Sequence, residues 1–170
     1  ERFTEIKKKL LFRTYPTPIT MRVIIQRVKK ASVTIEESVT SSIGTGLLIL
    51  VGIEENDTGE DAIWLAQKIM AMRIFSDSEG KMNLDITQAS AQILVVSQFT
   101  LHAQTKKGNR PSFIRAARPE KAIPLYTHFI EQLNILSATP VQTGTFGAMM
   151  DVELINDGPV TIWMDSAAKE

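Results

Sequence analysis

The sequence predicts an α/β domain in which a mixed, largely antiparallel sheet packs with two principal helices. Two observations support this fold class. Strand-like apolar runs occupy both ends of the chain, and two middle segments carry apolar residues at helical spacing. A chain of 170 residues with 44% hydrophobic and 22% charged residues has the composition of a single globular domain, and no repeat or low-complexity block divides it.

The first strands are predicted just after Met21. An apolar run at residues 23–25, the alternating Val33 and Ile35, and a continuous apolar run at residues 47–51 indicate three strands. The preceding residues 1–20 differ in charge, because five basic side chains face two acidic ones. We expect residues 1–20 to be an N-terminal extension outside the fold, with a basic RNA-binding arm as the alternative, and residues 21–170 to form a single domain.

Two helices are predicted in the middle of the chain. The first can be capped by Asn56 or Asp57, and apolar residues at 62, 63, 66, 69 and 70 would form its buried stripe. The second is indicated by apolar residues between 125 and 133, with Pro124 near its first turn and its end at about Asn134.

The remaining elements follow from turn signals between apolar runs. Residues 76–80 read as a turn and residues 93–99 as a buried strand. The C-terminal third returns to strands, which lie on either side of Asn156-Asp157-Gly158-Pro159. Taken alone, this last segment favours an ordinary hairpin turn.

Composition excludes several function classes. The chain has no cysteine, so it offers neither a disulfide framework nor a thiolate zinc site nor a thiol nucleophile. The motifs of the common serine hydrolases, zinc proteases and nucleotide-binding loops are absent as well. A net charge of zero means that any RNA would be held by a local basic patch. No apolar stretch approaches the roughly 18 residues of a membrane span, so we expect a soluble, cytoplasmic protein.

The two histidines give weak signals. His128 lies inside the second predicted helix, where an ordinary surface residue is the simpler interpretation. His102 follows a buried strand and is a candidate general base, but no carboxylate that would orient it can be named. Two unclustered histidines without cysteine do not make a ligand set, so we expect neither a metal nor a cofactor.

Three segments combine residue types that are suited to a site. In SQFTL (residues 97–101), polar side chains interrupt the end of a strongly apolar strand, although they could merely satisfy backbone groups. In NDGPVT (residues 156–161), a cis Gly-Pro bond would aim two carbonyls the same way. Five positive charges follow the first segment and could hold phosphates, with a solvated loop as the alternative. They are Lys106, Lys107, Arg110, Arg115 and Arg118.

Read together, these segments resemble the D-aminoacyl-tRNA deacylase family in order and spacing. The resemblance covers nearly all of residues 21–170, and it implies a barrel-like sheet and an editing hydrolase that works as a homodimer on aminoacyl-tRNA. Each motif is short, but several in the correct order make a chance match improbable. The motifs are QRV (26–28), RIF (73–75), GKMN (80–83), SQFTL (97–101), KGNRPSF (107–113), FGA (146–148) and NDGPVT (156–161).

The resemblance also implies how such a protein rejects L-amino acids. Gly158 and Pro159 of one subunit are expected to enter the active site of the other, with the bond between them cis. Their carbonyls would exclude the side chain of an L-amino acid but not that of a D-amino acid or of glycine. Arg27 matches the arginine that fixes the orientation of this Gly-Pro motif.

The remaining site residues are assigned by the same resemblance. Ser97, Gln98, Phe99 and Thr100 are expected to form the catalytic wall and the donors to the substrate, and Met150 matches a pocket methionine. Thr100 is a nucleophile candidate by residue type, but chemistry assisted by the 2′-hydroxyl of the terminal ribose is implied instead. We expect tRNA to be bound by Lys106, Lys107 and Arg110.

Two loops depart from the family pattern. Residues 88–92 lack the usual glycines, and residues 36–38 replace a glycine-containing hairpin. Neither loop touches the inherited site. The alternatives are a non-catalytic RNA-binding protein of the same fold and a general small-ester hydrolase, of which the latter is disfavoured because no activated nucleophile is visible.

Overall fold

A computed structural model of the protein describes residues 20–169, so that all but one residue of the expected N-terminal extension lie outside the described residues. The described chain forms eight strands, two α-helices and one 3₁₀ turn, and none of its helices is long and apolar enough to cross a membrane. In chain order the elements are β1 (Arg22–Ile35), β2 (Ser38–Ile43), β3 (Gly46–Gly52), α1 (Gly59–Ala71), β4 (Phe75–Ser76), β5 (Met82–Leu84), β6 (Gln92–Ser97), the 3₁₀ turn (Phe99–His102), α2 (Pro119–Leu136), β7 (Gln142–Thr143) and β8 (Asp151–Asp165).

Six strands form one mixed sheet, which confirms the predicted fold class. Its order is β2-β1-β3-β6-β7, and β8 pairs with β1. Strand β1 is antiparallel to β2, β3 and β8, whereas β3, β6 and β7 run parallel to one another. The sheet curls into a nearly closed, barrel-like shape, and β4 and β5 form a separate hairpin.

The central strands β3 and β6 are buried on both faces. Alternate residues such as Ile49 pack under the two helices against Leu65 and Phe129, while Leu48 packs against Leu94 in a second cluster on the opposite face. Burial on both faces explains why these strands read as continuous apolar runs rather than as alternating patterns.

The start of the sheet differs from the sequence prediction. Val33 and Ile35 do not form a strand of their own, because they belong to the second half of β1. The exposed Lys29 and Lys30 interrupt the apolar pattern of a strand that continues through them. Strand β2 then follows a tight turn in which Glu36 and its neighbour adopt positive φ angles of 48° and 64°.

The cap of α1 also differs from the prediction. Thr58, not Asn56 or Asp57, precedes the helix, and the carboxylate of Asp61 accepts hydrogen bonds from its backbone N and its hydroxyl, both 2.9 Å long. Asp57 is buried and accepts a 2.7 Å hydrogen bond from the backbone N of Glu54 instead. Asp57 therefore stabilises the loop before the helix and does not cap the helix.

Helix α2 begins earlier than predicted. Pro119 stands at its first turn, and Pro124 lies inside the helix rather than near its start. Pro124 is exposed, so water can satisfy the carbonyl that its missing N–H leaves free. The predicted buried stripe is confirmed at Leu125, Tyr126, Phe129 and Leu133.

We expect Gly46→Ala to destabilise the fold strongly. In the parallel pairing of β3 with β6, a Cβ at Gly46 would lie 2.1 Å from the carbonyl oxygen of Gln92. Because that oxygen belongs to a paired backbone, the free energy of unfolding should fall by about 3 kcal/mol in chemical denaturation. Gly44→Ala is the matched control, since its Cβ would lie 3.6 Å from the nearest atom. Equal stability of the two variants would contradict this packing.

The stability of the protein should depend on the protonation of Asp57. Burial raises the pKa of its carboxyl from 3.8 to about 7. Between those pH values the folded chain holds a proton that the unfolded chain has lost, so stability should fall as the pH rises from about 4 to about 7. Asp57→Asn cannot titrate and should lose less stability over this range in denaturant titrations. The exposed Asp151→Asn should behave like the parent, and parallel profiles for the parent and Asp57→Asn would refute this account.

Candidate functional site

A cleft of about 320 Å³ opens where β6 ends. Ser97, Gln98 and Phe99 line one side of it, and residues 146–150, which include Met150, line the other. Strand β6 ends at Ser97, so the sequence prediction of a strand reaching residue 99 is wrong. The backbone N of Gln98 donates a 2.7 Å hydrogen bond to the carbonyl of Val51, which holds the chain against β3 as it leaves the sheet.

The 3₁₀ turn presents two of the expected catalytic residues to solvent. Phe99 is 57% exposed, and its ring meets that of Phe113 edge-on with centroids 5.1 Å apart. Thr100 is also exposed, and its hydroxyl accepts a hydrogen bond from the side-chain amide of Gln98. Thr100 does not line the cleft itself, but it binds the side chain of Gln98, a residue that does.

The opposite side of the cleft depends on a glycine. A Cβ at Gly144 would lie 2.6 Å from the Sδ atom of Met150, so only glycine lets this side chain lie where it does. The backbone N of Gly144 donates a 2.9 Å hydrogen bond to the carbonyl of Val95 in β6. Phe146 packs on Tyr126 with ring centroids 5.6 Å apart. The side of the cleft that carries Met150 is thereby attached to β6, the strand that also carries Ser97.

The cleft lining holds no side chain that could act as a general base. It consists of aliphatic and aromatic residues, glycine, two methionines, Ser97 and Gln98. His102, the last residue of the 3₁₀ turn, does not line it, because its side chain is buried against Gly52 of β3, where burial lowers the pKa of the imidazole. Among residues 20–169 no group of three or more potential metal ligands is found either. The side chains can therefore shape and polarise a substrate, but they do not supply a base and nucleophile pair.

The NDGPVT segment is a bulge in a continuous strand. Gln26 pairs with Thr161 and Val28 pairs with Asn156, so four residues of β8 lie opposite the single residue Arg27. Because both parts of β8 are antiparallel to the same strand, the interpretation of this segment as a hairpin turn is wrong. Gly158 and Pro159 are exposed at the tip of the bulge, and the bond between them is cis.

Arg27 holds the base of this bulge. Its side chain is almost fully buried, and its Nε atom lies 3.0 Å from the carbonyl oxygen of Asp157 and 3.2 Å from the Asp157 carboxylate. The same guanidinium donates to the carbonyl of Ile74. A Cβ at Gly158 would lie 2.9 Å from its Nη2 atom, and Gly158 has a φ of +133°, which side chains rarely adopt. Arginine and glycine together therefore determine where residues 157–159 project.

The basic segment forms a loop beside the 3₁₀ turn. Lys106, Lys107 and Arg110 are exposed on it, and within the described part of the chain none of them is in a salt bridge. Two hydrogen bonds between the backbones of Gln104 and Ser112, 2.8 and 3.0 Å long, close the base of the loop. Its positive charges are thus available to a ligand.

The expected site residues fall into three places in a single chain. Ser97, Gln98, Phe99 and Met150 meet at the cleft, whereas Arg27, Gly158 and Pro159 belong to β1 and β8 and do not line it. The three basic residues lie on the adjacent loop. Sequence reasoning did not single out Gly144 or the packing role of Phe113, because contacts between side chains in loops leave no periodic pattern.

Comparisons with known proteins agree on one family. Residues 24–165 match the family model described as D-Tyr-tRNA(Tyr) deacylase. Curated relatives named D-aminoacyl-tRNA deacylase from Akkermansia muciniphila and Parabacteroides distasonis are 63% and 58% identical over 150 residues, which is 88% of this chain and 100% of each relative.

Solved structures show the same fold. One, described as c-Myc DNA Unwinding Element Binding Protein, is 39% identical with a TM-score of 0.80, and the match covers 84% of this chain and 97% of the other. Another, described as a probable eukaryotic D-amino acid tRNA deacylase, has a TM-score of 0.74 at 18% identity and covers 86% of this chain and 99% of the other. At that identity it shows the fold alone.

Proposed function

The chain belongs to the D-Tyr-tRNA(Tyr) deacylase family, and from this premise we propose that it hydrolyses the ester that joins a D-amino acid to tRNA. The observation that carries the proposal is the family match across residues 24–165, which includes every residue of the cleft. The products are free tRNA and the free amino acid. The enzyme is thus an editing hydrolase, and we expect it in the cytoplasm, where aminoacyl-tRNA is used.

The composition of the cleft bears on the chemistry. Because no titratable side chain lines it, the attacking water needs activation from another source. The 2′-hydroxyl of the terminal ribose lies next to the ester in the substrate and can assist this step. Water adds to the carbonyl carbon, the ester C–O bond breaks, and the 3′-oxygen leaves with a proton. Ser97 and Gln98 provide the hydroxyl and amide groups that hold the reacting ester in place.

Discrimination between D- and L-amino acids is assigned to Gly158 and Pro159. They are exposed at the tip of the β8 bulge and do not line the cleft of their own chain, which leaves them free to enter the cleft of a second copy. There, their carbonyls would occupy the space that an L side chain needs. Exclusion by backbone does not depend on the identity of the side chain, so many D-amino acids should be accepted, and glycine as well.

This arrangement requires a homodimer with two-fold symmetry. Strands β1 and β8 offer a surface for it, since Ile155 is 46% exposed and Trp163 is 55% exposed on β8. Exposed large apolar side chains on the strand that carries the bulge are suited to contact with a second copy of the chain.

The basic loop is assigned to the RNA. Lys106, Lys107 and Arg110 can contact phosphates, while the base of the loop lies beside Phe99 through the Phe113 contact. A local patch of this kind fits a protein with a net charge of zero.

The experiment that tests the proposal compares hydrolysis of D-, L- and glycyl-tRNA. The parent should hydrolyse the D- and glycyl-tRNA and spare the L-tRNA. Arg27→Ala leaves the carbonyl of Asp157 in the bulge and that of Ile74 without their donor, a loss of about 1–3 kcal/mol, so kcat/KM for the D-substrate should fall about 10- to 100-fold. The ratio of D to L hydrolysis should fall with it, because the bulge is no longer held.

Arg73→Ala is the matched control for Arg27→Ala. Arg73 is exposed and also donates to a backbone carbonyl, that of Asn83 at 2.7 Å. It adjoins Ile74, whose carbonyl Arg27 binds, but its own hydrogen bond does not reach the bulge. Its removal should leave the ratio of D to L hydrolysis unchanged. Efficient hydrolysis of L-aminoacyl-tRNA by the parent, or inertness toward glycyl-tRNA, would contradict the exclusion by backbone carbonyls.

A further inference from the structure

The 3₁₀ turn that carries Phe99 and Thr100 has little internal support. It contains four residues, and hydrogen bonds of this geometry are weaker than those of an α-helix. Its position relative to the cleft must therefore be set by contacts with other elements. On its inner side it lies directly on β3, where a Cβ at Gly52 would come within 2.9 Å of both the Gln98 carbonyl oxygen and the Leu101 Cβ.

Arg22 holds the turn from the side. Its Nη1 atom donates a 3.0 Å hydrogen bond to the carbonyl of Leu101, inside the turn, and its Nε atom lies 3.1 Å from the carboxylate of Asp165. A guanidinium can bind both acceptors at once because its donors are fixed in a planar fork. Neither Arg22 nor Asp165 lines the cleft, so any effect on the reaction must pass through the turn.

Asp165 is itself well fixed. It is buried and is the direct partner of Arg22 in the pairing of β1 with β8. Its other carboxylate oxygen accepts a 2.9 Å hydrogen bond from the backbone N of Ala167. Next to this pair, Met21 and Ser166 exchange two hydrogen bonds, each 2.9 Å long. The arginine thus connects the 3₁₀ turn to the well-bonded end of the sheet.

We propose that the Arg22–Asp165 pair is a positioning device for the reaction, in which Arg22 holds the Leu101 carbonyl so that Phe99 and Thr100 keep their places beside the cleft. The inference rests on the proposed deacylase function. Arg22 is a positioning residue, since it acts through the turn. Misplacement of a substrate-binding group by a fraction of an ångström to 1 Å slows turnover more than it weakens binding.

Arg22→Met tests this directly. It keeps the apolar stem and removes both donors, so kcat for D-aminoacyl-tRNA should fall about tenfold while KM changes less than about twofold. Arg22→Lys should restore only part of kcat, because one ammonium cannot reproduce the fork. Asp165→Asn should also give an intermediate loss. In NMR spectra, the backbone amide signals of residues 99–102 should shift most in Arg22→Met and less in Arg22→Lys and Asp165→Asn.

Lys30→Met is the matched control. Lys30 also forms an ion pair between β1 and β8, with Glu153 at 3.0 Å, but both side chains are exposed and far along the strands from the turn. In this variant the amide signals of the turn should match those of the parent. If Arg22→Met does not fold, kcat, KM and the amide signals of Arg22→Lys and Asp165→Asn are compared with those of the parent instead.

Three outcomes would overturn the proposal. The first is a kcat for Arg22→Met within twofold of the parent, with unchanged amide signals. The second is a loss confined to KM that disappears in Arg22→Lys, which would make Arg22 a simple phosphate-binding charge. The third is an equal shift of the amide signals of residues 99–102 in Lys30→Met. A parent without activity on D-aminoacyl-tRNA would refute the proposed function instead, and the amide signals of the turn would then decide whether Arg22 positions it.

Discussion

The pairing of β8 with β1 is the constraint on which both halves of the site depend. It spans residues 151–165 of β8 and is interrupted by the bulge opposite Arg27. If the register slipped by one residue, every side chain of β8 would point to the other face. Arg27 would then lose the backbone it holds, and Arg22 would lose Asp165 as its partner. One antiparallel ladder therefore fixes the exposed bulge at its middle and supports the 3₁₀ turn at its end.

The cleft and the β8 bulge have different physical properties. The cleft is an apolar space with a few hydroxyl and amide groups, and such a surface can orient an ester without supplying a charged catalyst. The bulge exposes Gly158 and Pro159, and we propose that their backbone carbonyls, which no mutation can remove, respond to shape near the Cα atom rather than to side-chain chemistry. Because Gly158 and Pro159 do not line the cleft of their own chain, we propose that the cleft and the bulge meet through a second copy.

Much of this structure could be predicted from the sequence, and the features that could not be predicted have physical causes. The stripe ending at Leu133 and the apolar strand before Ser97 were predictable because burial imposes a period on the residues. The bulge was not, since a turn signal such as Asp-Gly-Pro looks the same in a hairpin and in a strand that continues. The Thr58 cap was readable in principle, because Thr58 and Asp61 form a capping box three residues apart, and it was missed in favour of its neighbours. The hydrogen bond from Gly144 to Val95 joins residues distant in sequence, which no local pattern records. The expected site residues were assigned from the order and spacing of several motifs, because no single motif shows a recognisable catalytic chemistry.

The central claim is that each active site combines the cleft of one chain with the bulge of the other. Mixed dimers of Gln98→Ala, which damages the cleft, and Gly158→Val, which displaces the bulge against Arg27, test it most directly. Each variant alone should be inactive toward D-aminoacyl-tRNA. In a dimer purified through two different tags, one cleft and one bulge remain intact on opposite chains, so about half of the parent activity per dimer should return. Mixed dimers as inactive as either variant alone would show that the site is built within one chain.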